Sequence, residues 1–201
     1  IEIENIKTRV SLRSFLNNEF SLENLEISSK SLKIKDLISF IRVLNNSSEL
    51  YILEKIIQKG YIITDIHLEF DKEGKVKSNY SINGFVKDIE INFFKKYNIK
   101  NLNFIFKYEK DQFITKDTSF KFSDIDFFSD EIFIKKIKDE FSIKASINNN
   151  KTSLTDEKIK EIKSPFASNL SLENIIFSSK NTFSFILNKK FKIKDLEIDS
   201  I

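Results

Sequence analysis

The sequence predicts a mainly β protein, built on a long curved antiparallel sheet with two or three short α-helices. The first observation is strict alternation: over Phe141–Ile147 every second residue is apolar, and the residues between are Ser or Lys. The second is that the same rhythm recurs over 66–70, 89–93 and 102–106. A period of two places alternate side chains on one face of a strand. The sheet is therefore expected to have one apolar face and one polar face.

The third observation is the scarcity of glycine and proline. The chain has 201 residues but only three Gly and one Pro, which is few for a sandwich with many tight turns. Long strands joined by Asn, Asp, Lys and Ser turns fit this composition better. The clearest hairpin turn is predicted at 71–75, where Gly74 can take a positive φ angle.

The first part of the chain is predicted to pass from strands to helices. Residues 1–35 are interpreted as strands that close a preceding repeat unit, and the clearest of them covers 24–28. Residues 36–60 are interpreted as a helical segment, because apolar residues recur at helical spacing over 36–44.

Capping signals place the ends of the predicted helices. Asn46 is a candidate N-cap for the second helix, with Glu49 at capping-box spacing. Gly60 is a natural stop at the C-terminal end of that helix. A further short helix is predicted over 155–165, where Pro165 ends it.

Residues 61–154 are predicted to form the curved antiparallel sheet, and residues 166–201 the strands of the next repeat unit. Before Gly84 the apolar residues hold even positions, as Ile82 does, and after it they hold odd positions, as Ile89 does. Such a change at a strand glycine is typical of a bulge or bend. A curved sheet needs these devices.

Three short motifs recur in the same order along the chain, and the offset between the copies grows from 150 to 159 residues. This pattern predicts one full repeat unit and the start of the next. The chain contains no Met, and it is interpreted as a fragment of a longer protein or a processed chain. The paired segments are 21–24 with 171–174, 28–30 with 178–180, and 33–37 with 192–196.

Composition argues against several classes of function. The net charge is only +3, the two signs are interleaved, and Arg occurs at three positions, so no basic stripe suited to nucleic acid is present. The chain has no Cys, which excludes disulfides and thiolate metal sites within it. No apolar run approaches the roughly 20 residues of a membrane-spanning helix.

No catalytic constellation is recognisable, and the protein is predicted not to be an enzyme. His67 is the single histidine, and it falls on the polar side of its strand between Asp65 and Glu69. A solvated strand face explains it better than a general base or a metal ligand, because one histidine cannot build a zinc site alone. The acidic residues at 124, 126 and 130 lack the spacing of a calcium loop.

The apolar face is rich in Phe, and three short helices can cover only part of it. Three arrangements would keep it from water. The sheet can fold onto itself as a sandwich or barrel. It can pack on neighbouring units of a longer protein, or it can form an open groove that holds a hydrophobic ligand.

The pattern over 60–150 resembles the AsmA-like superfamily of envelope proteins, in its large YhdP-type branch. In that branch a helical segment leads into a Gly followed by long paired strands, and the low Gly content of this chain is a departure from it. The segments that carry the resemblance are 60–66, 81–86, 99–106 and 192–196.

This resemblance implies a U-shaped β-groove similar to that of bridge-like lipid transfer proteins. It implies transport of phospholipids between inner and outer membranes, in the periplasm, by a protein whose inner-membrane anchor lies outside this chain. The implied partners are phospholipid acyl chains, with no nucleic acid and no cofactor. The alternative is a structural or adhesive cell-surface β-protein with a closed core and no ligand.

Twelve alternating apolar residues are the candidates for lining such a groove. They are Ile66, Leu68, Phe70, Ile89, Ile91, Phe93, Leu102, Phe104, Phe106, Phe141, Ile143 and Ile147.

Overall fold

A computed structural model describes residues 2–17, 19–44, 48–93, 97–154, 175–188 and 192–201. These residues form one eleven-stranded antiparallel sheet that does not close into a barrel, together with three short helices. Strand accounts for 71% of the structure, so the predicted mainly β fold class is confirmed.

The strands follow one another across the sheet almost in chain order, β1-β2-β4-β5-β6-β7-β8-β9-β10-β11, with β3 paired to β4. Every neighbouring pair is antiparallel. The strands are β1 (Ile3–Val10), β2 (Leu22–Ser29), β3 (Leu32–Lys33), β4 (Ile57–Glu69), β5 (Ser81–Phe93), β6 (Tyr97–Glu109), β7 (Gln112–Phe122), β8 (Ile125–Ile137), β9 (Glu140–Leu154), β10 (Ile175–Asn188) and β11 (Ile193–Ser200). The helices are α1 (Leu12–Leu16), α2 (Ile34–Leu44) and α3 (Ser48–Ile56).

The helical segment is confirmed, but its predicted end is wrong. Helix α3 stops at Ile56 and β4 begins at the next residue, so Gly60 lies inside a strand with φ +140°. A Cβ atom on Gly60 would lie 2.8 Å from Cγ1 of Ile89, so the glycine allows the two strands to approach closely. The candidate cap Asn46 and the predicted helix at 155–165 lie outside the described residues.

Helix α1 was not predicted. Its N-cap is Ser11, whose hydroxyl accepts a hydrogen bond from the backbone N–H of Ser14 at 3.3 Å. A serine followed by a short apolar cluster is a usable start signal, but five residues are too few to show a helical period. The helix leaves Leu12, Phe15 and Leu16 exposed.

The turns confirm the expectation that Asn, Asp, Lys and Ser replace glycine. The β6–β7 hairpin turns at Lys110 and Asp111, which both have positive φ, as the favoured two-residue hairpins require. The predicted turn at 71–75 is also present: Oδ1 of Asp71 accepts the backbone N–H groups of residues 73 and 75, each at 2.9 Å, and Gly74 has φ +82°.

The change of parity in β5 comes from a bulge at Asp88, so the bulge predicted at Gly84 is wrong. The register with β4 runs without a break through Gly84, whereas the register with β6 shifts between Val86 and Ile89. The shift returns Ile89 to the face of Val86, and the two residues share one buried cluster. Inside the strands, the non-glycine residues with positive φ are Asp88, Asn101, Asp117 and Asp195. Asp and Asn tolerate this conformation best.

Gly84 has a different role from the one predicted. It pairs with Phe106 on β6, and a Cβ atom at this position would overlap the Ile63 carbonyl oxygen and lie 2.7 Å from the Phe106 ring. The missing side chain leaves room for the ring, which is buried. Gly84 is therefore required on the apolar face because the Phe106 ring packs directly against it.

Helices α2 and α3 are joined by a polar cluster. Glu54 forms an ion pair with Arg42 and accepts a hydrogen bond from the Ser39 hydroxyl at 2.7 Å. The Arg42 guanidinium also lies over the Tyr51 ring, 5.1 Å from its centroid. The Ser39 hydrogen bond, followed by the charge of Arg42, holds the pKa of Glu54 below its ordinary value of 4.5.

This cluster predicts a specific loss of stability in acid. Because the pKa of Glu54 is depressed in the folded state, its contribution is present above about pH 4.5 and is lost as the pH falls through the folded pKa. We expect the melting temperature of the wild type to fall more steeply below pH 4.5 than that of Glu54→Gln. Parallel slopes in thermal scans of the two proteins would contradict this prediction.

Of the two repeated motifs for which both copies are described, one differs in conformation and the other does not. Residues 34–37 open helix α2, whereas residues 193–196 lie in strand β11. Ser29 and Ser179, from the second motif, both lie in strands, and the copy at 171–174 lies outside the described residues.

Candidate functional site: the apolar face of the sheet

The registers align a continuous line of apolar residues across nine strands. Each member is paired directly with the next, so all nine lie on one face, which we call the apolar face. We call this set the apolar line. Its members are Ile6, Ile27, Ile66, Ile82, Tyr108, Phe113, Ile134, Ile143 and Phe185.

The next position along each strand lies on the opposite face, here called the outer face, and the corresponding line there is polar. Nine of its ten members carry a charge or another polar group, and Ile186 is the exception. The line consists of Lys7, Glu26, His67, Ser81, Glu109, Gln112, Lys135, Ser142, Ile186 and Lys194. The predicted division into an apolar and a polar face is therefore present at this level of the sheet.

Alternation and register place the predicted groove residues on the apolar face. Ile66 and Ile143 belong to the apolar line itself. Leu68, Phe104 and Phe106 stand two or four positions from members of the line on uninterrupted strand segments. The same holds for Phe141 and Ile147 on β9. Leu102 lies two positions from Phe104 with no bulge between them, while Ile89 and Ile91 regain this face after the bulge in β5.

Helices α2 and α3 cover one end of the apolar face. Ile34 and Ile38 of α2 are buried against Ile57, Val86, Ile89 and Phe106 of the sheet. Of the predicted groove residues, Ile89 and Phe106 thus belong to a closed core. Ile91, Leu102 and Phe104 pack against that core and are partly buried.

Two further candidates have special positions. Phe70 forms an isolated bridge with Val76 next to the turn, and its ring lies 5.6 Å from that of Phe20. The backbone of Phe93 pairs with Tyr97 at the far end of β5, and its side chain lies outside the described part. Neither residue adjoins the apolar line.

Beyond the helices, no second layer of strands covers the apolar face in the described part of the chain. Each strand makes its main contacts with its neighbours in the sheet, and only α2 and α3 pack across it. The sheet does not close into a barrel, and the described residues do not form a sandwich. The first of the three arrangements that would keep the apolar face from water is therefore not observed in the described part of the chain. Phe141, near the start of β9, remains 38% exposed.

Polar residues on the apolar face are bonded to one another, which removes the cost of burying them. The hydroxyls of Thr115 and Thr118 lie 2.8 Å apart where β7 bulges. Oδ1 of Asn149 accepts the backbone N–H of Ser179 at 2.9 Å and also its hydroxyl. These pairs satisfy polar groups where the ladder is interrupted.

The outer face carries an apolar patch that was not predicted. Ile63, Phe85 and Ile105 are directly paired across β4, β5 and β6, and each is about 40–50% exposed. The available signal was a break in the alternation, because consecutive residues are apolar at 62–63 and 104–106. A depression of about 440 Å³ also opens on this face, and Lys144, Ser184 and Glu197 are among its lining residues.

The titratable groups near the sheet form ordinary surface pairs. His67 lies on the outer face, where Nδ1 is 3.5 Å from Glu26 and Nε2 is 3.7 Å from Glu69. Tyr108 lies on the apolar face beside Tyr80, and hydrogen bonding between them is the main cause that raises its pKa above the ordinary value. Among the described residues, no three His, Cys, Asp or Glu side chains are grouped as metal ligands would be.

No family model, curated protein or solved structure matches this chain. The resemblance to the AsmA-like superfamily therefore rests on the sequence pattern. In the described part of the chain, no helix is both long enough and apolar enough to cross a membrane. The fold and the site define a class of protein built on an open antiparallel sheet, in which a pair of helices covers part of the apolar face.

Proposed function

We propose that the apolar face binds phospholipid acyl chains, and that the chain is a segment of an envelope protein that transports phospholipids between inner and outer membranes. The proposal places the protein in the periplasm, with a membrane anchor outside this chain, and needs no cofactor or catalytic residue. The observation that carries it is the apolar line, which crosses nine strands without a polar residue other than the Tyr108 hydroxyl.

The dimensions of the apolar line suit an acyl chain. Neighbouring strands lie about 4.8 Å apart, so a line across nine strands measures about 38 Å. One acyl chain spans about half of the roughly 30 Å hydrocarbon core of a bilayer. The apolar line is thus long enough for at least one extended chain.

The energetics also favour a continuous apolar face for moving lipids. Exposing an acyl chain to water costs about 0.8 kcal/mol per CH₂, so a chain of about sixteen carbons costs more than roughly 10 kcal/mol. A surface without gaps removes most of this barrier at every step, while the headgroup stays in water at the open side. A series of separate pockets would restore the barrier between them.

The helix-covered core narrows the set of residues that would contact lipid. Ile89 and Phe106 are buried without a ligand, and they stabilise the fold. The residues proposed to contact acyl chains are those outside the helix-covered core, namely Ile66, Leu68, Phe141, Ile143 and Ile147, together with Ile6, Ile27, Tyr108, Ile134 and Phe185 of the apolar line. The other two members of the line, Ile82 and Phe113, pack against that core.

Native mass spectrometry of the chain purified from a Gram-negative host, followed by lipid extraction, tests the proposal. We expect phospholipid to remain bound at near-stoichiometric amounts under gentle ionisation. A folded, lipid-free chain that also fails to take up a fluorescent fatty acid would contradict the proposal. That result would favour the structural or adhesive function instead.

A further inference from the structure

Polar residues interrupt the apolar surface at one place, beside the middle of the apolar line. The residues two positions from the apolar line, on the side of the β6–β7 and β8–β9 turns, form a second row, which we call the turn row. Apart from a threonine at one end, the two flanks of this row are apolar, whereas its centre is polar. The turn row consists of Thr8, Leu25, Leu68, Tyr80, Lys110, Asp111, Lys136, Phe141 and Leu187.

The polar residues at the centre of the turn row adjoin one another. The ring of Tyr80 lies 5.9 Å from that of Tyr108, measured between centroids. The Tyr108 hydroxyl donates a hydrogen bond to Oδ1 of Asp111 at 3.3 Å. The carbonyl oxygen of Asp111 accepts the backbone N–H of Lys136 at 2.9 Å, so these two residues are neighbours across two hairpins. We call Tyr80, Tyr108, Asp111 and Lys136 the turn cluster.

The turn cluster holds two opposite charges that do not neutralise each other. Lys136 forms no ion pair with any described residue, and the Asp111 carboxylate accepts its hydrogen bond from a neutral hydroxyl. Both side chains are exposed. The neighbouring Lys110 lies 3.7 Å from the Glu109 carboxylate, which belongs to the outer face. A cation and an anion are therefore available on the apolar face for a ligand that carries the complementary charges.

The two tyrosines keep the Asp111 carboxylate in place. Hydrogen bonding with Tyr80, followed by burial, raises the pKa of Tyr108 above its ordinary value of 10, so its hydroxyl stays protonated at neutral pH. That hydroxyl occupies one acceptor position of the carboxylate, which has about four. The remaining positions can accept N–H groups from an ammonium, and the Lys136 ammonium can donate to phosphate oxygens. The turn cluster is thus complementary to a zwitterion with a phosphate and an ammonium.

The position of the turn cluster suits the headgroup of a lipid whose chains lie along the apolar line. Tyr108 is the fifth of the nine members of the line. Four strand spacings of about 4.8 Å leave about 19 Å of the line on each side of it. An acyl chain spans about 15 Å, half of the hydrocarbon core of a bilayer. Each side of the headgroup therefore has room for one acyl chain.

We infer that the turn cluster is the headgroup site of the apolar face and that it selects phosphatidylethanolamine, with Lys136 binding the phosphate and Asp111 binding the primary ammonium. The inference rests on the proposed function and adds the class of phospholipid to it. Phosphatidylglycerol has the same phosphate but no ammonium, so it leaves Asp111 beside a ligand of net negative charge. The quaternary ammonium of phosphatidylcholine has no N–H group to donate.

Lipid selection from mixed vesicles tests the headgroup site. The purified chain is incubated with vesicles that contain equal amounts of phosphatidylethanolamine and phosphatidylglycerol with identical acyl chains, and native mass spectrometry quantifies the lipids that stay bound. We expect the wild type to hold about fivefold more phosphatidylethanolamine. Asp111→Asn should bring the ratio to within about twofold of one without loss of total lipid. Asn suits this position, where φ is +59°, because it tolerates positive φ.

Two matched controls accompany the variants. Asp124 also has φ +59° and precedes β8 at the opposite end of the sheet, so Asp124→Asn repeats the substitution away from the turn cluster. Lys135 is exposed like Lys136 but lies on the outer face, so Lys135→Gln is the control for Lys136→Gln. We expect Lys136→Gln to lower the total of both bound phospholipids about threefold, because both carry the phosphate. The controls should match the wild type.

The outcomes separate this inference from the proposed function. A wild type that binds both lipids equally, or an Asp111→Asn variant that keeps the wild-type ratio, would overturn the headgroup site and leave lipid binding intact. Equal lipid content in Lys136→Gln and Lys135→Gln would overturn the role of Lys136. A wild type that binds neither lipid would overturn both proposals.

A separate sample distinguishes a lipid headgroup from a soluble ligand of the same chemistry. Glycerophosphoethanolamine, which has the headgroup but no acyl chains, replaces the vesicles at the same concentration. We expect no adduct in the native mass spectrum, because the acyl chains supply most of the binding free energy. An adduct at the occupancy of the intact lipid would assign the turn cluster to a soluble ligand and overturn the inference. Circular dichroism verifies that every variant is folded.

Discussion

A chain carrying Phe141→Asp and Ile143→Asp is expected to lose bound phospholipid at least tenfold, which corresponds to about 1.4 kcal/mol. Both residues lie on the apolar face of β9, outside the helix-covered core. A carboxylate placed against an acyl chain must lose its hydration or expel the chain, and either outcome weakens binding. The measurement is the ratio of bound to free protein in native mass spectra, with lipid extraction as a second readout.

The outer face offers a matched control for this experiment. Phe85 is 39% exposed and Phe141 is 38% exposed, but the two residues lie on opposite faces of the sheet. The double variant Phe85→Asp with Ile105→Asp should keep its lipid. If the apolar-face double variant is unfolded, Phe141→Asp alone replaces it. Equal lipid content in folded variants of the two faces would contradict binding at the apolar face.

Gly84→Ala is expected to destabilise the protein by about 1–3 kcal/mol, as overpacking of a close-packed site does. The added methyl group overlaps the Ile63 carbonyl oxygen and the Phe106 ring, so the ring must leave its buried position. The sign of the change in the free energy of unfolding distinguishes overpacking from the ordinary effect of replacing glycine by alanine. An alanine in an unstrained strand position would instead stabilise the chain slightly, by limiting the unfolded state. Urea unfolding measures the difference.

Asn83→Ala provides the control for the glycine substitution. Asn83 is exposed and lies next to Gly84 in the same strand, on the outer face. We expect its replacement to change stability by less than about 0.5 kcal/mol. A Gly84→Ala variant as stable as Asn83→Ala would show that the Phe106 ring does not need the glycine.

The sequence was sufficient to predict most of the long strands over 61–154 and the side of the sheet on which their strictly alternating residues lie. Alternation is a local property, so the placement of Ile143 or Leu68 on the apolar face follows from neighbouring residues alone. The turns were also predictable in kind, because a chain with little glycine must use Asp, Asn, Lys and Ser where φ is positive.

Features that depend on distant residues were not predictable. The sequence predicts a bulge at Gly84, but the glycine is required because the ring of Phe106 packs against it from the next strand, 22 positions away in the sequence. Asp88, where the bulge occurs, is a single polar residue that breaks the alternation, and Asp117 breaks it in the same way. The burial of Ile89 and Phe106 depends on where the helices pack, which periodicity does not determine.

The most direct test of binding at the apolar face is photo-crosslinking to phospholipid, with benzoylphenylalanine in place of Phe141 or, as the control, in place of Phe85. The two positions have the same native residue and nearly equal exposure, so the face of the sheet is the main difference between them. We predict a lipid adduct, detected by mass spectrometry after ultraviolet illumination in a Gram-negative host, for Phe141 and none for Phe85. Adducts of equal yield at both positions, or at Phe85 alone, would contradict the account.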